Sequence, residues 1–158
     1  MTTLNFSQKT NFMAGFPKFP DLEFYIQDVT LPGITLELQK ASIQGLSGFL
    51  ASSTHTLSDV SFNVLIDEDY KVYRMFYEDV LKSKSLINST YAQREFDFYI
   101  SVYNNKGNLI FTEYFKNCLI ESLGDVSLST TDSSVVNTFS VSLKFDWVDI
   151  EFKEENED

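Results

Sequence analysis

Cysteine and histidine are almost missing from this chain, which has one of each, Cys118 and His55. A single cysteine excludes an internal disulfide, so the cross-linked scaffold of a small secreted domain is not expected and a reducing compartment is the default. A zinc site built from cysteine and histidine needs more of both than this chain carries. Glycine and proline are sparse, at six and three residues, which excludes a collagen-like or low-complexity chain. No stretch approaches the roughly 20 apolar residues of a membrane-crossing helix. The N-terminal MTTLNFSQKTNF lacks the apolar run of a signal peptide. Positive charge is also short, with 12 Lys and Arg against 23 Asp and Glu and a formal net charge of −11. A nucleic-acid groove needs clustered basic side chains, so that class is not expected.

A convergent catalytic set is equally hard to assemble. His55 lies in a Ser/Thr-rich stretch, and no serine sits in a nucleophile-elbow pattern. GLSG, residues 45–48, lacks the lysine and spacing of a phosphate loop. Asn88-Ser89-Thr90 matches a glycosylation acceptor but has no secretion signal beside it. Cys118 falls in an apolar stretch and reads as a small buried hydrophobe. Asp67, Glu68 and Asp69 are three carboxylates in a row. Adjacent side chains splay around the backbone, whereas calcium loops place ligands at alternate positions around a glycine turn. The three acids therefore read as a helix N-cap: Asp67 accepts from free amides, and Glu68 and Asp69 sit against the positive end of the helix. No enzyme activity, metal or cofactor is expected.

What the chain does have is aromatic and apolar mass. Of 158 residues, 15 are Phe and 8 are Tyr, and 43% are hydrophobic. That is enough for one core in one domain spanning 1–158, and the aromatic share favours strands. Residues 1–20, ending in FPKFP, read as an extended N-terminal arm with aromatic anchors at Phe16 and Phe19. Such an arm lies on its own domain or reaches a neighbouring subunit. LEFYIQDVTLPGITLELQ reads as strand, Pro-Gly bend, strand, with Phe24 and Ile26 on one face. Residues 40–56 form a small, polar stretch interrupted by Ile43, Leu46, Phe49 and Leu50. Apolar groups on such a loop point to a contact with something else, or to a loop folded back over its own core.

Val60, Phe62, Val64 and Ile66 alternate with Asp59, Ser61 and Asn63, which predicts a strand with one buried face. The period then changes, and Tyr70, Tyr73, Phe76, Tyr77, Val80 and Leu81 predict an amphipathic helix over about 68–83. Residues 84–94 read as a polar connector. EFDFYISVYNNKGNLIFTEYF is a hairpin whose NNKGN turn uses Gly107. LGDVSLS reads as a short strand, TTDSS as a turn, and VVNTFSVSLKFDWVDIEF as one long closing strand. KEENED, residues 153–158, is an acidic tail. About seven strands and one helix predict a mainly β, antiparallel sandwich or barrel-like domain with one packed α-helix. Long strands in an open sandwich leave edges that need cover or a partner.

The order of these elements resembles the tail tube proteins of contractile-tailed bacteriophages, a fold shared with pyocin and type VI secretion tubes. The residues that carry the resemblance are VTLPGITLE, FNVLIDEDYKVY running into the helix, and the closing segment FTEYFKNCLIESLGDVSLSTTDSSVVNTFSVSLKFDWVDIEF, with its aromatic end at Phe145 and Trp147. The resemblance spans roughly residues 20–150. It implies the tail-tube fold and a structural virion protein that forms hexameric rings, with sheets joined between subunits around a channel for DNA. It implies ring stacking through residues 40–56, so Ile43, Leu46, Phe49 and Leu50 would form that interface. Tail sheath or baseplate hub proteins would be further partners, and the tail of the virion its location, after assembly in host cytoplasm. A tube initiator ring at the baseplate has the same fold and is an alternative. A monomeric, acidic β-sandwich binding module is a second one. An acidic lumen would repel DNA phosphates at short range, although the charge could equally face outward to a basic sheath.

Overall fold

A computed structural model describes residues 6–85, 96–131 and 135–153. Most of the expected connector over 84–94, residues 132–134 of the TTDSS turn and residues 154–158 of the acidic tail lie outside the described residues. The chain is mainly β, as predicted, with nine strands among the described residues. They are β1 (Phe12–Gly15), β2 (Ile26–Thr30), β3 (Ile34–Ile43), β4 (Leu46–Leu57), β5 (Val60–Leu65), β6 (Phe96–Tyr103), β7 (Leu109–Leu123), β8 (Thr138–Lys144) and β9 (Trp147–Phe152). A 3-10 helix covers Pro20–Tyr25, and helix α1 covers Lys71–Ser85.

Seven strands form one antiparallel sheet in the order β1-β6-β7-β8-β5-β2, with β9 also paired to β7. Strand β7 organises it. Its 15 residues pair with β6, then with β9 over Phe111–Lys116 and with β8 over Leu119–Leu123. The sheet bends at Asn117, a non-glycine residue with φ 54°. Across the bend, the Asp146 amide donates to the Lys116 carbonyl at 3.1 Å, and Asn117 Nδ2 donates to the Asp146 carboxylate at 3.1 Å. The closing segment is therefore not one strand. It breaks at Phe145 and Asp146 because its two halves pair with different stretches of a bent β7.

The bent sheet closes over its own apolar face without becoming a barrel. Alternation puts Val60, Phe62 and Val64 of β5 inside, together with Phe139, Val141 and Leu143 of β8. Phe98 and Ile100 of β6 and Phe115 of β7 face them. Helix α1 covers the remaining side. Phe76 places its ring 5.8 Å from Phe139 and 5.9 Å from Phe16.

Several sequence expectations change. Of the two readings of the N-terminal arm, residues 12–16 follow the one that lies on its own domain, because β1 pairs with β6 and Phe16 is buried against Phe62, Phe76, Phe96 and Phe98. A fully buried aromatic ring holds this segment on its own domain. Residues 22–25 turn with a period of three, not two, so Leu22 is buried and Phe24 is 83% exposed. LGDVSLS is not a strand. The Gly124 amide donates to the Ser140 carbonyl at 2.7 Å, the β7–β8 ladder ends there, and Leu128 faces solvent. Helix α1 begins at Lys71, not 68, because Tyr70 takes a left-handed φ of 55°.

Candidate assembly surface

Residues 40–56 form the outer part of a β-hairpin, not a loop. Strands β3 and β4 pair with each other and, among the described residues, with no other strand. Gln44 and Gly45 make the turn with φ of 51° and 82°. Two successive positive φ values are the primed turn that suits the twist of a tight hairpin. Ten residues of β3 extend roughly 33 Å at the usual rise per residue. Cross-strand pairing of the two backbones is why a glycine- and serine-rich segment is ordered as strand. At its base, the Ser58 amide donates to the Gly33 carbonyl at 3.1 Å, and the Gly33 amide donates to Ser58 Oγ at 2.8 Å.

The register sorts side chains between two faces. Leu36 opposes His55, Leu38 opposes Ala51, and Lys40 opposes Phe49, so these share one face with Ile34. Ile34, Leu36, Leu38 and Phe49 are all more than half exposed. Leu50, opposite Gln39, lies on the other face, as does Leu46 at the tip. Leu46 and Leu50 are exposed too, and Ile43 pairs with Leu46 beside the turn. The four residues singled out in sequence thus do not make one patch. The continuous apolar stripe includes Ile34, Leu36 and Leu38, whose alternation in ITLELQ signalled a strand but not one without cover.

Strand edges are open as well. Among the described residues β1 pairs only with β6, β2 only with β5, and β9 only with β7. Each leaves a row of backbone donors and acceptors available to another chain.

One charged residue stands on the core face of the sheet. Glu113 of β7 is in phase with Phe111 and Phe115, beside Ile100 on one side and Ile150 on the other. It is buried, and among the described residues its carboxylate makes no hydrogen bond or ion pair. Burial raises its pKa above the ordinary glutamate value. The period-two run FTEYF carried the signal for this placement.

The acidic triplet divides its roles. The Asp67 carboxylate accepts from the amides of Lys71 at 3.2 Å and Val72 at 3.1 Å. Burial works to raise its carboxyl, but the bonds from Val72 and Lys71 together outweigh that and hold it below the ordinary aspartate value. Asp69 pairs with Lys71 at 2.9 Å on the surface. Glu68 and Asp69 precede the first turn of α1. Among the described residues no cluster of His, Cys, Asp and Glu is placed to hold a metal ion. The Cys118 thiol donates to the Phe115 carbonyl and is pushed up to about 12 by burial, so it is a poor nucleophile at neutral pH. The described residues thus present a hairpin with an exposed apolar face, and sheet edges without a further strand.

No protein-family model matches the chain, and no curated protein matches it by sequence. Solved structures do. A chain in the cryo-EM structure of the anti-feeding prophage cap, a tube-terminating cap, aligns with TM-score 0.74 at 14% identity over 97% of this chain and 95% of its own length. A chain in the extended sheath–tube complex of an extracellular contractile injection system, PVC, aligns with TM-score 0.63 at 16% identity over 93% and 92%. A type six secretion system protein aligns with TM-score 0.55 at 10% identity over 92% and 86%. At such identities the likeness is one of fold, carried over nearly the whole length: this chain has the tail-tube fold found in contractile injection particles.

Proposed function

We propose that this chain is a structural ring subunit of the tube in a contractile, phage-tail-like particle. In this reading six copies close into a ring through their open strand edges, and rings stack into a channel through which DNA passes during ejection. The chain is one domain whose hairpin, residues 40–56, makes the ring-to-ring contact through both of its faces, with Phe49 on one, Leu46 and Leu50 on the other and Ile43 beside the turn. The observation that carries the reading is the β3–β4 hairpin, which exposes a stripe of large apolar side chains that its own chain leaves bare. A lone soluble molecule has little reason to present such a stripe, whereas an assembling one buries it. The net charge of −11 suits a lumen that passes polyanion without holding it.

Purified protein imaged by negative stain is expected to show rings about one subunit thick, or tubes of them. Deleting residues 43–54 is expected to abolish stacking. A sharp monomer at high concentration, even with preformed tube ends added as nuclei, overturns the reading in favour of a monomeric binding module. A second reading, a single ring at one end of the tube, is favoured by the likeness to the tube-terminating cap. The same images separate the two, since an end ring stops at one layer and a tube ring continues.

A further inference from the structure

Two charges that make no ion pair among the described residues stand beside large apolar side chains. Glu113 is one, 7% exposed on the core face of the sheet with Ile100 and Ile150 beside it. Lys40 is the other, the sole Lys or Arg in the hairpin and on its apolar face beside Leu38 and Phe49. Among the described residues neither makes an ion pair; Lys9, Lys18, Lys106 and Lys153 make none either, but Lys40 alone of these lies in the hairpin.

The surroundings match as well as the charges. Next to Glu113, the sheet face continues through Ile150 and the contacting rings of Phe111 and Phe152. Ile150 is 45% exposed and Phe152 70%. Strand β9 carries this face beyond the cover of the rest of the domain. In the sheet, the rung pairing Glu113 with Ile150 lies two residues from the rung pairing Phe111 with Phe152. In the hairpin, the rung pairing Lys40 with Phe49 lies two residues from the rung pairing Leu38 with Ala51. In both ladders one charge beside one large apolar group is followed, about 7 Å along, by a further apolar rung. No side-chain oxygen among the described residues is both sealed from solvent and without a partner, so the Glu113 carboxylate still opens outward. A lysine can bury its alkyl stem along Ile150 and bring its ammonium to that carboxylate.

We infer that the apolar face of the hairpin of one copy lies on the β9 end of the sheet face of an adjoining copy, with Lys40 paired to Glu113. This rests on the ring-subunit reading and adds the receiving surface and the pair that sets its register. A charge pair inside an apolar contact defines alignment, because any slip leaves both ions buried and unpaired.

A zero-length cross-link tests it on the native protein. Assemblies made from equal parts of unlabelled and 15N-labelled protein are treated with a water-soluble carbodiimide. The reagent takes up a carboxylate oxygen as its urea, and a lysine amine in contact closes an amide. Mass spectrometry is expected to find Lys40 joined to Glu113 in peptides that mix the two isotopes. Lys40→Arg keeps the charge and the assembly but loses the link, and Glu113→Gln loses it too. Lys40→Glu is expected to raise the concentration needed for assembly by about tenfold or more, the scale of one charge-assisted contact. Rings or tubes that form but give no Lys40–Glu113 link, or give it within one copy only, overturn the inference and leave the ring reading standing. Protein that never assembles overturns both.

Discussion

Phe62 and Phe98 stack face to face, with ring centroids 5.0 Å apart and planes 13° from parallel. They belong to β5 and β6, which are separated in the sheet by β7 and β8. The contact therefore joins the two halves of the bent sheet across the core, and both rings are fully buried. No backbone ladder makes this connection, so the aromatic pair holds the sheet in its folded-over shape.

Phe98→Ala is expected to destabilise the isolated subunit by about 3–5 kcal/mol, through lost burial and the cavity left behind. Phe98→Leu costs less because it keeps most of the volume. Urea unfolding with an unchanged m-value measures both. Val141→Asp is the severe case. Val141 is 0% exposed at the centre of β8, and an unpaired carboxylate there costs several kcal/mol, enough to leave no folded protein. Soluble, cooperative unfolding of that variant would contradict the placement of β8.

Stability should respond to pH through two carboxylates of opposite sign. Asp67 is held below its ordinary value of 3.8, so its contribution is present at neutral pH and is lost as pH falls below that value. Helix α1 is expected to loosen there, seen as faster exchange of the Lys71 and Val72 amides, and Asp67→Ala should remove the effect. Glu113 is held above its ordinary value of 4.5. Its folded form binds protons that the unfolded chain has released, so stability declines as pH rises from 4.5 through the raised value. Glu113→Gln should raise the unfolding midpoint of the isolated subunit at neutral pH and flatten the profile above 4.5. A midpoint that falls instead would mean the carboxylate has a favourable partner.

Gly124 is a packing site. A Cβ built there would press on Ser140 Oγ and lie 3.2 Å from Ser140 Cβ. Its φ is not in the left-handed region, so strain comes from space and not from the backbone. Gly124→Ala is expected to lower stability, and Ser140→Ala in the same chain to recover most of the loss. The double-mutant cycle should give a favourable coupling of about 1 kcal/mol. Additive effects would place these residues apart.

Phe49→Ser separates assembly from folding. Phe49 is 72% exposed on a hairpin that, among the described residues, pairs with no other strand. Subunit stability is expected to change by less than about 0.5 kcal/mol, as for most surface substitutions. Assembly followed by sedimentation should weaken clearly. If the variant unfolds, the hairpin belongs to the core of its own subunit.

Much of the fold is readable from alternation. Val60, Phe62 and Val64 point inward as the two-residue period requires, and so do Phe139, Val141 and Leu143. The NNKGN turn forms with Gly107 at φ 81°, while Asn104 Oδ1 accepts from the amides of Lys106 and Asn108. The switch from strand to helix after Ile66 follows from the change of period. Boundaries were less readable. The break at Asp146 depends on Asn117, 29 residues away, and no local pattern records it. Residues 40–56 look like a loop because their small side chains carry little strand propensity, yet their backbones pair from the turn out to Ala51 and again, after a register shift, from His55.

The candidate surface divides in the same way. Phe49 and Leu50 stand out in sequence as apolar groups in a polar stretch, but which shares a face with Lys40 depends on the hairpin register. Glu113 could be placed in phase with Phe111 and Phe115 from FTEYF alone. That its carboxylate lacks a partner is a property of everything packed around it.

By itself the sequence determined which side of each strand is apolar and where the helix lies, because those depend on the spacing of neighbours along one chain. The tertiary structure alone decided the bend of β7, the clamp between Phe62 and Phe98, and the bare face of the hairpin. Those follow from which distant backbones complete each other's hydrogen bonds and which apolar faces run out of cover, and both are settled only when the whole chain competes for the same contacts.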